Sequence, residues 1–139
     1  MDFENVENVE NVKNITELNL NKQNLTELPD LSKYINLKKL YCGDNKLTKL
    51  DNLPLGLQEL YCDTNEITKL DNLPLGLQKL YCSYNQITKI SNLPSGLQDL
   101  ECNNNPLILN LQSKIYKVID CSNNPLIYNI ILDQLVRQY

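Results

Sequence analysis

The chain has 139 residues, a formal net charge of -4 and 42% hydrophobic residues, enough length and apolar content for one folded domain rather than a disordered acidic chain. No apolar run reaches the ~20 residues of a membrane-spanning helix, the acidic start MDFENVENVE lacks the apolar segment of a secretory signal, and the acidic balance argues against nucleic acid as the main partner. Histidine is absent, which excludes His-based catalytic triads and His-containing zinc motifs.

Residues 2–14, DFENVENVENVKN, run in a three-residue period in which Val6, Val9 and Val12 lead on to Ile15 and Leu18. Residues 1–14 read as an N-terminal cap or a disordered segment. From Ile15 a longer rhythm takes over. LPLGLQELYCDTNEITKLDN at 53–72 is followed by LPLGLQKLYCSYNQITKISN at 73–92, twenty residues on. The same frame places Leu37, Leu40, Cys42, Asn45 and Leu47 in one copy. Leu57, Leu60, Cys62, Asn65 and Ile67 form the next, followed by Leu77, Leu80, Cys82, Asn85 and Ile87. Leu97, Leu100, Cys102, Asn105 and Leu107 come after. A degenerate first copy holds Ile15, Leu18, Leu20, Gln23 and Leu25, and a last one Tyr116, Ile119, Cys121, Asn124 and Leu126. Six copies thus occupy 15–126. In the remainder, 127–139, Ile127, Ile130, Ile131 and Leu135 fall at helical spacing. They predict a short C-terminal capping helix that covers the open edge of the last copy.

The shared frame is L-x-x-L-x-[LC]-x-x-N-x-[LI]. Its x-L-x centre predicts a three-residue parallel strand, with positions 1, 4, 6 and 11 facing a common interior that no copy can bury alone. The Asn at position 9 both donates and accepts, and so can pair backbone groups where the chain leaves the strand. Asn45, Asn65, Asn85, Asn105 and Asn124 are expected to form an asparagine ladder, broken by Gln23. The LPLG and LPSG segments predict extended or turn-like connections, because Pro disfavours helix before it. With these motifs the chain resembles the leucine-rich-repeat family across 15–126. The L-P-x-x-L-x-x-L run is similar to the short-repeat subclass of bacterial effectors. The Y-C-x-x-N-x-I-T-K wording resembles repeat proteins of amoeba-infecting giant viruses. The resemblance implies an α/β leucine-rich-repeat solenoid, a right-handed superhelix with six parallel strands on its concave face. It also implies protein–protein recognition on that face. The Cys-bearing motif of the ubiquitin-ligase domain that some such effectors carry does not occur in this sequence.

Cys42, Cys62, Cys82, Cys102 and Cys121 all take position 6. A column of neighbours ~4.8 Å apart does not converge on a metal ion, and in-register side chains have poor disulfide dihedrals. The column predicts buried, reduced thiols acting as small hydrophobes and a reducing compartment such as the cytoplasm, that of a host if the protein is viral. Neither metal nor cofactor is expected.

Outward positions 3 and 5 carry the candidate site, because strand side chains alternate between faces. Position 5 reads Tyr41, Tyr61, Tyr81, Glu101 and Asp120. Three tyrosines in register predict a ladder of large, rigid side chains with polar tips, suited to binding and also to plain sheet stabilisation. Tyr84 at position 8 is expected to extend the patch. Position 3 reads Lys39, Glu59, Lys79 and Asp99, an alternation that pairs charges across strands. Lys38 and Lys39 are expected to make the N-terminal half basic, while Asp99, Glu101 and Asp120 make the C-terminal half acidic. The Thr48/Lys49, Thr68/Lys69 and Thr88/Lys89 column reads as a solvated flank. The function expected is a non-catalytic, monomeric module that binds a protein partner through Tyr41, Tyr61, Tyr81 and Tyr84, tuned by Lys39, Glu59, Lys79, Asp99 and Glu101. No nucleic-acid or membrane partner is expected. The alternatives are a self-associating structural protein, or recognition of a glycan or small ligand by the tyrosines.

Overall fold

The computed structural model describes residues 12–90, 93–107, 118–120 and 122–124. Most of the N-terminal segment and the helix expected over 127–139 lie outside these residues. Six strands are present: β1 (Glu17–Asn19), β2 (Lys39–Tyr41), β3 (Glu59–Tyr61), β4 (Lys79–Tyr81), β5 (Asp99–Glu101) and β6 (Val118–Asp120). They form one parallel sheet in chain order. Leu18, Leu40, Leu60, Leu80, Leu100 and Ile119 stand in register. The architecture is a solenoid in which each copy of the repeat adds one strand.

The strands form where the sequence repeats: β2 to β5 each bury only the middle residue, flanked by two half-exposed ones. Positions 1, 4, 6 and 11 close the interior. Leu37, Leu40, Cys42 and Leu47 are fully buried, as are their equivalents in the next two copies. Each such leucine contributes roughly 1.5–3 kcal/mol on leaving water. The first copy is thinner: Leu20 is buried, but Ile15, Leu18 and Leu25 are only partly covered. Val12 joins the same core, and the Lys13 carbonyl accepts a hydrogen bond from Asn36 Nδ2 at 2.8 Å. The end of the N-terminal segment is therefore docked against the second copy.

Buried asparagines join one coil to the next. Asn85 Nδ2 donates to the carbonyls of Cys62, Cys82 and Ser83, and its Oδ1 accepts from Ile67 N at 3.0 Å. Asn65 and Asn105 repeat the arrangement one copy earlier and later. These bonds satisfy backbone groups that the turn would otherwise leave buried and unpaired. The cysteines at 42, 62, 82 and 102 are buried. The Cys62 and Cys82 thiols donate to the carbonyls of Tyr81 and Glu101, each at 3.4 Å.

The residue before each of these asparagines is left-handed. Asp44, Thr64, Tyr84, Asn104 and Asn123 have φ between 53° and 56°, and Lys22 has 59°. Asn52 and Asn72 are left-handed too, whereas no glycine is. Gly56 and Gly76 sit instead in ordinary turns closed by Leu57 N to Pro54 O and Leu77 N to Pro74 O. Among the described residues no strand or helix intervenes between these turns and the next strand, so the side opposite the sheet is turn-like.

Candidate partner-binding face

The sheet positions the site directly. Strand register puts Tyr41 beside Tyr61 and Tyr61 beside Tyr81. Parallel strands lie ~4.8 Å apart, which is the low end of the range for offset-stacked rings. Tyr41 and Tyr61 stack with centroids 4.6 Å apart and planes 9° apart; Tyr61 and Tyr81 follow at 4.8 Å and 18°. All three are half-buried. Tyr84 is 60% exposed, and among the described residues it joins neither stacked pair. Tyr84 lies three residues past Tyr81, on left-handed backbone with φ of 55°.

Glu59 organises position 3. It lies 3.4 Å from Lys39 Nζ and 3.9 Å from Lys79 Nζ, and its Oε2 accepts from the Tyr61 hydroxyl at 2.8 Å. That hydroxyl, aided by Lys39 and Lys79 and opposed by burial, holds the Glu59 carboxyl below the usual range. Burial and the Glu59 charge push the Tyr61 phenol well up, so it stays a neutral donor. Tyr61 is thus fixed at its tip as well as at both ring faces. Lys79 stands in register with Asp99, but its ammonium pairs with Glu59.

The last two strands are different. Asp99 and Glu101 lie on β5 and Asp120 on β6. Among the described residues no ion pair engages any of the three. Asp120 is held low by the Ser122 N–H and by Asn103 Nδ2, at 3.0 Å each. Glu101 is pushed up, by burial first and then by Asp63, Asp120 and Asp99. Burial and the Glu101 and Asp99 charges likewise raise the Tyr81 phenol.

Asp63 is the residue that sequence reasoning missed. It occupies position 7, just past β3, where its Oδ1 accepts from Ser83 N at 2.8 Å, and burial raises its carboxyl. The signal was available: position 7 is Asn21, Gly43, Asp63, Ser83, Asn103 and Ser122, a column of small or polar residues. Lys38 requires a correction. It was expected to make the N-terminal half of the face basic, but its ammonium donates to the Gly56 carbonyl at 3.2 Å. Position 2 precedes the strand, so Lys38 bridges two turns and only Lys39 serves the face. In the flanking Thr-Lys column, Lys49 pairs with Asp51.

Three leucine-type side chains are unexpectedly exposed on the turns: Ile35 at 61%, Leu55 at 90% and Leu75 at 87%. They occupy equivalent places in successive copies, and Ser95 ends the row. A groove of about 440 Å³ lies between the first two, lined by Tyr34, Ile35, Leu53, Pro54 and Leu55 among others. Among the described residues no group of three side chains could hold a metal ion, and no helix is long and apolar enough to cross a membrane.

No protein-family model and no curated protein matches the chain. Solved structures do. The leucine-rich-repeat domain of a Shigella effector is 30% identical and superposes over 83% of the chain with a TM-score of 0.67. The chain spans 61% of that domain. YopM from Yersinia enterocolitica WA-314 is 23% identical, with a TM-score of 0.45 over 81% of this chain and 34% of that one. The functional domain of InlJ from Listeria monocytogenes, which includes a cysteine ladder, is 28% identical, with a TM-score of 0.46 over 82% and 36%. The twenty-residue repeat and the parallel sheet are those of the leucine-rich-repeat fold as the Shigella domain has it. The Shigella domain is bacterial and lends no support to the likeness to giant-virus repeat proteins.

Proposed function

We propose that the protein is a non-catalytic interaction module whose outer sheet face binds a peptide, a loop or one small domain of another protein. The observation that carries this reading is the stack of Tyr41, Tyr61 and Tyr81, half-exposed on an open sheet and pinned at its centre by Glu59. Rigid aromatic side chains lose little entropy on binding and present both apolar area and a polar tip. The similarity to a Shigella effector domain supports a binding role. Six strands at ~4.8 Å make a face about 25 Å wide, which matches the low end of interface sizes. The column of buried cysteines supports action in a reducing compartment, the host cytoplasm for a viral or effector-like protein. The module acts as a monomer, without nucleic acid or membrane.

The test is affinity capture from lysate under reducing conditions, with wild type beside a Tyr41→Ser/Tyr61→Ser/Tyr81→Ser variant. A protein retained by wild type and lost by the folded variant supports the proposal. Equal capture by both moves the site off this face. A variant that fails to fold makes the tyrosines structural.

The row of Ile35, Leu55 and Leu75 favours a second reading, self-association through the turns. Apolar residues this exposed and this regularly placed mark contact surfaces. Light scattering separates the two: a mass that rises with concentration, and returns to the monomer value in Leu55→Ser/Leu75→Ser, supports self-association.

A further inference from the structure

We propose that the place next to Tyr81 in the tyrosine stack is taken, in the complex, by an arginine of an extended basic segment of the partner, its guanidinium flat on the Tyr81 ring and paired with Glu101 and Asp99. The inference rests on the sheet face being the binding site. It names the partner's chemistry.

The stack ends abruptly. Tyr61 covers one face of Tyr81. On the other side, the register partner of Tyr81 is Glu101, which has no ring to continue the stack. The next rung therefore carries a carboxylate in place of a ring. Charge along the sheet changes at the same step. On β2 to β4, Glu59 lies between Lys39 and Lys79 and attracts both. On β5 and β6 the outward groups are Asp99, Glu101 and Asp120, and among the described residues no cation pairs with them. The carboxylates act on one another across this gap, and Asp63 adds to their field at Glu101. A cation delivered by a partner removes that repulsion.

Arginine fits better than lysine. A guanidinium is planar, stacks on aromatic rings and donates in a fork that matches carboxylates. It is also more weakly hydrated than an ammonium, so less is lost on docking against a half-buried ring. A segment whose arginine sits over β5 runs its neighbouring residues back over Tyr81, Tyr61 and Tyr41. There the face is aromatic and its charges are already paired.

The test is a titration of isotope-labelled protein, under reducing conditions, with acetyl-Ser-Arg-Ser-Arg-Ser-amide and with the same peptide carrying Lys or Gln in place of Arg. The Tyr81 ring and Glu101 carboxyl resonances are followed. Saturable shifts centred on these two groups are expected with the Arg peptide. Affinity should be several-fold weaker for the Lys peptide, with no saturation for the Gln peptide. Loss of about tenfold is expected in Glu101→Gln, in line with a close charge pair. Affinity should also fall as salt is raised. Shifts centred elsewhere, equal affinity for the Arg and Lys peptides, or unchanged affinity in Glu101→Gln overturns the inference. The partner capture separates the two levels. A protein lost by the triple tyrosine variant but retained in full by Glu101→Gln overturns the arginine and leaves the face. A protein retained by both overturns the face and the arginine with it.

Discussion

Thr64 and Tyr84 hold left-handed backbone, with φ of 56° and 55°, that a β-branched and a bulky aromatic residue adopt reluctantly. The same place in neighbouring copies is Asp44, Asn104 and Asn123, residues whose short polar side chains tolerate it. Thr64→Asn is therefore expected to raise stability by about 1 kcal/mol, measured as a higher urea midpoint at unchanged m-value. A lower midpoint would mean that the Thr64 side chain makes a contact worth more than the strain. The buried asparagines act in the opposite sense. Asn85 makes four hydrogen bonds at 7% exposure. Asn85→Ala strands several buried backbone groups and should cost ~2–4 kcal/mol. Asn45 makes similar bonds but is only half-buried, so water replaces part of what is lost and Asn45→Ala should cost less. Equal midpoints for the two variants would contradict that ordering. The inward residues were legible in the sequence because Leu, Cys and Asn recur at fixed places in every copy. The left-handed residues were less so. Glycine is the usual marker for that backbone, and here glycine sits elsewhere while Asn, Asp, Thr, Tyr and Lys carry it.

At the scale of the strands, register was readable because the shared frame, recurring every 19 to 22 residues, leaves only one alignment of copies. What the period could not convey is where long side chains reach. Lys38 and Lys39 are adjacent in sequence, yet one bridges turns and the other faces the sheet. The alternating charges at position 3 predicted contacts across strands. Lys39 and Lys79 both make them, on Glu59, where the Tyr61 hydroxyl joins them. Two carboxylates two strands apart therefore respond oppositely to pH. Glu59 has a folded pKa below its unfolded value. Its contribution to stability is present above the unfolded pKa and is lost as pH falls through the folded one. Glu101 has a folded pKa above its unfolded value. The folded form binds its proton more tightly, so ionised Glu101 opposes folding at neutral pH, and that penalty disappears as pH falls below the unfolded pKa. Glu59→Gln should destabilise by ~1 kcal/mol at pH 7. Glu101→Gln should stabilise at pH 7, by less than ~1 kcal/mol, and match wild type near pH 3. Urea midpoints across pH 3 to 8 check both signs. A Glu101→Gln variant less stable than wild type at pH 7 would show that its carboxylate is already compensated, and would weaken the case for an incoming cation.

Across the whole molecule, one interior runs from Val12 to Leu107, and each copy is held mainly by its neighbours. Stability in such an array is a sum of nearest-neighbour terms, so end copies open more readily than central ones. The cysteine column offers a probe of this at every step. Cys42, Cys62, Cys82 and Cys102 are fully buried. Burial pushes the Cys42 thiol up to about 12 and the Cys62 thiol well above its ordinary value. Since the thiolate is the reactive form, these residues should be inert in the folded state and should react with a thiol reagent only through opening. Labelling followed by mass mapping is then expected to be slowest at Cys62 and Cys82, at a rate set by global unfolding. Cys42 and Cys102, nearer the ends, should label at that rate or faster. Leu80→Ala, which empties a fully buried position of the central strand, costs about 2–5 kcal/mol and should speed labelling at Cys62 and Cys82 together by more than tenfold. Rapid labelling of Cys62 or Cys82 in native buffer would break the link between the column and the cooperative core. Uniform rates at all four sites would instead describe a solenoid that opens only as one unit, with the end copies as firmly held as the centre.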